Sequence, residues 1–270
     1  MEPLARRMFL QQYAAIRHAE RRGSNTPEWY TALPYRDLRN VNSAQWEIRA
    51  RSYRYFERRL LPKIEREVKR PLRILDLGAG NGWMSYRLSL RGHHTVALDI
   101  FADPLDGLGA MQNYPVPISA VVAEFDRLPF GPMSFDLAIF NSSLHYSADY
   151  CHTINELRRC LQPTGRFFVM DSPVYQRAEH GERMREERQT HFERTYGFRS
   201  EAAGSIEYLD EAMLSRISAE TGVEWSRSLP WHGWKWALRP LRARLQGSRP
   251  PSQFFILAGR FNGPGRFNGQ

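Results

Sequence analysis

Cysteine is scarce in this sequence of 270 residues, which limits what can hold the fold together. The only two cysteines, Cys151 and Cys160, fall on one predicted helix. At 100° per residue they project from opposite sides of that helix, so a disulfide between them is excluded there. A chain without a disulfide framework is typical of a reducing compartment, and we therefore expect a cytoplasmic protein.

Long apolar runs are also missing. No stretch approaches the ~20 consecutive apolar residues that span a bilayer, so we expect no transmembrane segment. Residues 1–7 (MEPLARR) lack the long apolar segment of a secretory signal. A hydrophobic content of 42% is nevertheless enough for a sizeable core, and the length suits one large α/β domain with additions.

Lysine is rare although the chain is basic. Lys63, Lys69 and Lys235 are the only lysines among 38 basic residues, and the formal net charge is +9. Such a charge attracts polyanions. Many arginines alternate with glutamates, however, as in residues 183–188 (RMREER), a pattern typical of solvated helix faces with i,i+4 ion pairs. Composition alone therefore leaves both solvated helices and nucleic-acid binding open.

Hydrophobic periodicity divides the chain into five segments. Residues 1–70 predict an N-terminal helical cap or lid. Residues 71–173 alternate short apolar runs with helical stretches, which indicates an α/β fold with a doubly wound, Rossmann-like core. Residues 174–222 predict a helical insertion after the fifth strand. Residues 223–261 supply two final strands joined by a basic, Trp-rich connection, which makes a seven-stranded, mostly parallel sheet. Residues 262–270 predict a disordered tail.

The most informative stretch is the turn that follows the first predicted strand. The run RILDL ends on Asp76 and Leu77 and breaks into Gly78, Gly80 and Gly82. Glycine permits backbone angles and close approaches that a Cβ forbids. The pattern therefore predicts a tight strand-to-helix turn whose amides can line a nucleotide-like ligand. A dinucleotide fingerprint would require a further glycine where Trp83 stands.

Polar side chains also follow the later predicted strands. Asp99 closes the second strand, where an acid can accept hydrogen bonds from both ribose hydroxyls or simply form a turn. Glu124 and Phe125 follow the third strand, and Asn141 ends the fourth. Ligands of doubly wound sheets bind beyond the carboxyl ends of the strands. We therefore expect these side chains to share one site with the glycine turn.

These motifs, in this order, resemble those of the class I S-adenosylmethionine-dependent methyltransferases of the Rossmann-like, small-molecule type. The resemblance covers about residues 71–172 and includes the segments 124–130 (EFDRLPF), 135–146 (FDLAIFNSSLHY) and 161–171 (LQPTGRFFVMD). It implies S-adenosylmethionine as cofactor and no metal. The implied cofactor-binding residues are Asp76, Gly78, Ala79, Gly80, Gly82, Asp99, Ile100, Glu124, Phe125 and Asn141.

Two features of this segment depart from common forms of the family. Where Glu124 and Phe125 stand, an aspartate followed by alanine is more usual, so either Glu124 or Asp126 is a candidate acceptor for the adenine amino group. The loop 141–144 (NSSL) also lacks the prolines and the aromatic residue of the Asn-Pro-Pro-aromatic motif. Some nucleic-acid methyltransferases use that motif to hold a planar amino group.

The resemblance implies in-line methyl transfer to an oxygen or nitrogen atom of a small metabolite. Positioning and desolvation supply much of such a rate enhancement, so an obligatory base need not exist. If a proton must leave the acceptor, His145 is the leading catalytic candidate, and packing beside Tyr146 is its alternative role. An RNA methyltransferase with arginine-rich surfaces and a cofactor-binding module without turnover remain alternatives. The sequence determines neither the acceptor nor the oligomeric state.

Overall fold

The computed structural model describes residues 3–200 and 204–261, so the predicted tail at 262–270 lies outside the described residues. Its centre is a seven-stranded sheet, and a separate two-stranded pair lies beside it. In chain order, the strands are β1 (Arg73–Leu77), β2 (His94–Asp99), β3 (Ser119–Val122), β4 (Phe135–Asn141), β5 (Leu161–Met170), β6 (Val174–Tyr175), β7 (Leu209–Asp210), β8 (Val223–Ser228) and β9 (Ile256–Phe261).

The strands of the large sheet lie in the order β3-β2-β1-β4-β5-β9-β8. The first five are parallel, whereas β9 is antiparallel to both β5 and β8. The strand order reverses between β1 and β4, because the chain runs outward from β1 to β3 before it crosses back. Doubly wound sheets bind ligands at this switch point. The predicted Rossmann-like, seven-stranded and mostly parallel sheet is confirmed.

Helices pack on both faces of the sheet. They are α1 (Pro3–Ala19), α2 (Pro27–Ala32), α3 (Ser43–Tyr55), α4 (Leu61–Val68), α5 (Trp83–Leu90), α6 (Tyr150–Cys160), α7 (Ala178–Tyr196), α8 (Glu211–Thr221), α9 (Trp234–Ala237) and α10 (Arg239–Leu245). A π-helical turn at Phe56–Leu60 joins α3 to α4. Pro62 lies in the first turn of α4, where its missing amide removes no helical hydrogen bond.

Successive side chains of β1 point to opposite faces of the sheet and enter two separate cores. Ile74 joins the cluster that contains Tyr53, Phe56 and other residues of the N-terminal helices. Leu75 joins the cluster formed with residues of α6 and α8. The near-complete burial of both side chains explains why this strand is apolar on both faces.

Capping aspartates fix the starts of two helices in the second cluster. The Asp149 carboxylate accepts a hydrogen bond from the amide of His152, and that of Asp210 accepts one from the amide of Met213. Both cysteines, on α6, are free and buried. Within the described ranges, none of the helices has the length and apolar character needed to cross a membrane.

Candidate functional site

A cavity of about 210 Å³ lies at the switch point of the sheet. One wall is formed by residues that the sequence predicted, and these are Asp76, Gly78, Ala79, Gly80, Asp99, Ile100, Phe125 and Asn141. The facing wall includes Phe9, Tyr13 and Arg17 of α1, and Trp46 and Arg49 of α3. The fold therefore brings the carboxyl ends of the strands and the N-terminal helices together around one space.

The glycine turn allows the loops after β1 and β4 to approach closely. Gly78 has a φ of +70°, and its amide donates to the carbonyl oxygen of Leu98 at 2.8 Å. A Cβ added to Gly78 would lie 2.3 Å from the Cβ of Ser143. The Ser143 hydroxyl in turn donates to the carbonyl of Leu77. Only glycine meets both the backbone angle and the space at this position.

Backbone amides from two neighbouring loops, those after β1 and β2, bind the carboxylate of Asp99. Its Oδ2 accepts from the amide of Gly80 at 2.8 Å, and its Oδ1 accepts from the amide of Phe101 at 2.9 Å. Burial raises the pKa of this carboxyl, while the same two amides act in the opposite direction. A carboxylate has about four acceptor positions, so the two oxygens can still accept from a pair of hydroxyls.

Asp76 is almost completely buried beneath the glycine turn. The hydroxyl of Ser85 donates to its Oδ2 at 2.8 Å. Burial raises the pKa of this carboxyl to about 7, because desolvation disfavours the charged form. Asp76 is therefore partly protonated at neutral pH.

Asn141, at the end of β4, carries an unsatisfied acceptor on the cavity wall. Its Oδ1 is buried and has no hydrogen-bond partner within the part of the chain that the structure describes. Leaving a buried polar atom unpaired costs about 1–3 kcal/mol. A ligand with a hydrogen-bond donor at this point would remove that cost.

Arg49 brings to the same cavity a positive charge that has no ion-pair partner among the described residues. Its guanidinium lies 5.1 Å from the ring centroid of Trp46, and no carboxylate of the described residues lies within ion-pair distance of it. Burial and the neighbouring charge of Arg22 lower its pKa to about 10, so it remains protonated at pH 7. The arrangement favours an anionic group of a ligand. Sequence reasoning missed Arg49, although it stands one helical turn after Trp46.

Helix α1 is attached across the cavity by charged and aromatic contacts. Arg17 forms an ion pair with the buried Asp106, and Arg6 lies 3.4 Å from a carboxylate oxygen of Glu124. The ring of Tyr13 packs edge-on against Phe101, with the centroids 5.1 Å apart. Helix α1 belongs to residues 1–70, for which the sequence predicts a helical cap or lid.

Two smaller cavities adjoin the first. One, of about 170 Å³, is lined by Glu124, Phe125 and Asp126, so both acidic candidates for the adenine contact stay beside the site. The other, of about 160 Å³, lies between α1 and α7 and is lined by Arg188 and Phe192, among others. Tyr146 lines all three cavities, which places it where they meet.

Three predicted residues do not line the main cavity. Glu124 lines only the adjoining cavity of about 170 Å³. Gly82 caps the start of α5 with a φ of +77°, and a Cβ there would lie 2.6 Å from the Cε of Met111. The buried His145 ring packs on Tyr146, and its Nδ1 lies 3.1 Å from the hydroxyl oxygen of Ser172. Burial, aided by the charges of Arg188 and Arg49, lowers the pKa of His145 to about 3, so its imidazole is neutral at pH 7.

Comparison with known proteins agrees with this geometry. Residues 75–169 match a family model described as a methyltransferase domain. The chain is 30% identical over 152 residues to a malonyl-[acyl-carrier protein] O-methyltransferase from Erwinia pyrifoliae, a match that covers 53% of this chain and 55% of that protein. Residues 75–169 therefore carry an S-adenosylmethionine-dependent methyltransferase domain. The cofactor of this family is S-adenosylmethionine.

A second curated relative of the methyltransferase domain is a demethylmenaquinone methyltransferase from Thermus thermophilus. It is 33% identical over 109 residues, which cover 39% of this chain and 49% of that protein. The chain thus spans about half the length of these two curated relatives.

Solved structures resemble this chain in fold. A S-adenosylmethionine dependent methyltransferase from Mesorhizobium loti superposes with a TM-score of 0.52 at 17% identity, covering 80% of this chain and 97% of that one. The 1,6-didemethyltoxoflavin-N1-methyltransferase from Burkholderia thailandensis gives a TM-score of 0.50 at 16% identity, and the match covers 94% of this chain and 90% of that one. At these identities the likeness shows the fold alone.

Proposed function

We propose that this methyltransferase moves a methyl group from S-adenosylmethionine to an oxygen or nitrogen atom of a small acceptor. The observation that carries the proposal is the composition of the switch-point cavity. It combines a preorganised carboxylate on Asp99, an unpaired acceptor on Asn141 and, on Arg49, a cation without an ion-pair partner among the described residues. Those three groups complement the hydroxyls, the ammonium group and the carboxylate of one nucleoside amino acid.

Each part of the cofactor has a counterpart among these residues. S-adenosylmethionine supplies a methyl group activated by a positively charged sulfur. Asp99 accepts from the ribose hydroxyls, and Asn141 accepts from the ammonium group. Glu124 or Asp126 accepts from the adenine amino group, with Phe125 beside the ring. The turn from Gly78 to Gly80 lets the backbone approach, while Asp76 and Gly82 support that turn from below.

The acceptor would enter through the cavity between α1 and α7. That space meets the cofactor cavity at Tyr146, and Arg188 and Phe192 line its far side. Residues 1–70 would then act as a cap, and the insertion at 174–222 would complete the acceptor space. The curated relatives differ in their named acceptors, from malonyl-acyl carrier protein to demethylmenaquinone, so the acceptor class is proposed from the cavity.

His145 remains a proposal for the catalytic residue, and the structure favours an indirect role for it. An imidazole with a pKa of about 3 is a weak base at neutral pH. Its packing against Tyr146 fixes one of the side chains that border all three cavities, the other being Phe9. Methyl transfer would then depend on alignment and exclusion of water, which need no general base.

We also propose that the protein acts in the cytoplasm, since both of its cysteines are free.

The test is transfer of a labelled methyl group to the components of a cell extract. The full chain is incubated with extract and labelled S-adenosylmethionine, and the labelled product is identified. Label in a small molecule supports the proposal, whereas label that is lost on ribonuclease treatment identifies an RNA methyltransferase. Cofactor binding in calorimetry without any labelled product identifies a binding module. Extract incubated with labelled S-adenosylmethionine but without the protein is the control for labelling by other enzymes in the extract.

A further inference from the structure

The connection between β8 and β9 carries an apolar stripe that faces solvent. The stripe consists of Trp234, Leu238, Leu241 and Leu245, whose exposed fractions are 75%, 55%, 56% and 79%. The helical path runs through Leu238, because its amide donates to Trp234 and its carbonyl accepts from Arg242. At 100° per residue, the spacing places all four side chains within an arc of roughly 60°. They therefore form one continuous apolar surface.

The opposite side of the same segment fixes it to the body of the protein. The ring of Trp236 lies 5.1 Å from those of Phe254 and His232, measured between centroids. The Arg239 guanidinium stacks on Trp236 at 3.4 Å and donates to the carbonyl of Ser252. The stripe is thus held outward by packing on its inner side.

Positive charge borders the stripe on both sides. By helical spacing, Lys235 and Arg242 lie along one edge and Arg244 along the other. Among the residues that the structure describes, none of these three has an ion-pair partner, and all three are exposed. The sequence contains no aspartate or glutamate after Glu224. An apolar face of this kind, bordered only by cations, complements a surface that is apolar and anionic together.

We propose that residues 229–245 dock on a membrane surface that contains anionic lipids. Helices that lie in a membrane interface combine an apolar face with flanking basic residues, and tryptophans favour the headgroup region. Trp231 and Leu229, each 58% exposed, extend the apolar surface beyond the helix. RNA would neutralise the cations but would leave three leucines in water, so the observations favour lipid.

The docking surface lies at the cavity edge of the sheet. Strands β8 and β5 run in the same direction, because both are antiparallel to β9. The chain therefore leaves β8 at the edge where β4 and β5 end. Arg51 of α3, the helix that also carries Arg49, donates to the carbonyl of His232. A docked membrane would face this edge.

Vesicle binding by the full chain tests the proposal. Vesicles of phosphatidylglycerol and phosphatidylcholine are compared with vesicles of phosphatidylcholine alone by cosedimentation. We expect binding to the anionic vesicles, with a clear loss when salt is raised. The fluorescence of Trp231 and Trp234 should shift to the blue on binding, since both rings leave water.

Two sets of variants separate the apolar and the charged contributions. L238S/L241S/L245S should lower the partition coefficient at least about ten-fold, because three exposed leucines no longer enter the interface. K235Q/R242Q/R244Q should lower it about five-fold per charge at low salt. The matched control is L90S/M133S, which removes two exposed apolar side chains at the opposite edge of the sheet and should leave binding unchanged.

Three results would overturn the proposal: no binding of the native protein to anionic vesicles, full binding by the leucine variant, or an equal loss in the control. Capture of single-stranded RNA that depends on Lys235, Arg242 and Arg244, without vesicle binding, would identify a nucleic-acid surface instead. Thermal unfolding followed by circular dichroism verifies that each variant is folded. The measurement needs no methyl acceptor, so its outcome is independent of the proposed reaction.

Discussion

The Oδ2 atom of Asp99, at the end of β2, accepts a 2.8 Å hydrogen bond from the amide of Gly80, in the turn after β1. The carboxylate is thereby fixed against the glycine turn before any ligand binds. Preorganisation of this kind reduces the entropy that binding must offset. In the proposed function Asp99 would serve both the turn and the ligand, so a substitution there should affect affinity directly.

Asp99→Asn should weaken the binding of S-adenosylhomocysteine by about ten- to a hundred-fold. The variant keeps one oxygen for the turn but loses the charge that strengthens hydrogen bonds to the ribose, which are worth about 1.5–3 kcal/mol. Isothermal titration calorimetry measures the change. Asp210→Asn is the control, because Asp210 caps α8. An unchanged affinity in Asp99→Asn would exclude the assigned role.

Arg49→Gln should weaken S-adenosylhomocysteine at least about ten-fold and leave 5′-methylthioadenosine unaffected. Only the first ligand carries the carboxylate that the Arg49 guanidinium would bind. Arg54→Gln is the matched control on the same helix, since Arg54 is exposed and lies over Tyr35. An equal loss for both ligands would show that Arg49 supports the cavity rather than the carboxylate.

Gly78→Ala should destabilise the protein more than Gly92→Ala. Both glycines have a positive φ, at +70° and +90°, so both variants incur a backbone cost of about 1–2 kcal/mol. Only the Cβ at position 78 meets a neighbour, the Cβ of Ser143 at 2.3 Å. The steric overlap should add about 1–3 kcal/mol to the loss in the free energy of unfolding, measured in urea. Equal losses would contradict the close approach of the two loops.

Asp76→Asn should make the cofactor-free protein more stable at pH 8 than the native chain. The folded carboxyl titrates near pH 7 and the unfolded one near its usual value of 3.8, so folding retains a proton between those limits. The free energy of unfolding of the native chain therefore falls as the pH rises through that window. The loss is up to about 4 kcal/mol, since each unit of pKa shift is worth about 1.36 kcal/mol. Thermal melts at pH 4 to 8 measure the difference, which should vanish near pH 4.

His145 has the opposite effect on the pH dependence of stability. It is present in both the native protein and the Asp76→Asn variant, so its effect is common to the two. Its folded pKa of about 3 lies below the usual 6.5, so its contribution to stability is lost as the pH falls below 6.5. The difference between the Asp76→Asn and native curves, rather than either curve alone, therefore carries the test. Parallel curves across the whole range would mean that Asp76 is charged in the folded protein.

The strand-end half of the site could be predicted because its signals are local. An apolar run that breaks into glycines, and a polar residue after each strand, specify position along the chain and edge of the sheet together. Arg49 had no such signal, since it is one of many arginines and its burial depends on how α3 packs. His145 and Tyr146 are neighbours in a 3₁₀ turn, so small rotations decide which side chain reaches the cavity.

The ion pairs of α1 have a consequence for the rate at which ligands exchange. A nucleoside bound between Asp99 and Arg49 would lie against Phe9 and Tyr13, which line the same cavity, so we expect its release to require displacement of this helix. The partly exposed Arg6–Glu124 pair is screened by salt, whereas the Arg17–Asp106 pair at the buried end is screened much less. Added salt should thus shorten the residence time of the nucleoside, because it releases the N-terminal end of α1 while the C-terminal end stays attached and acts as a hinge.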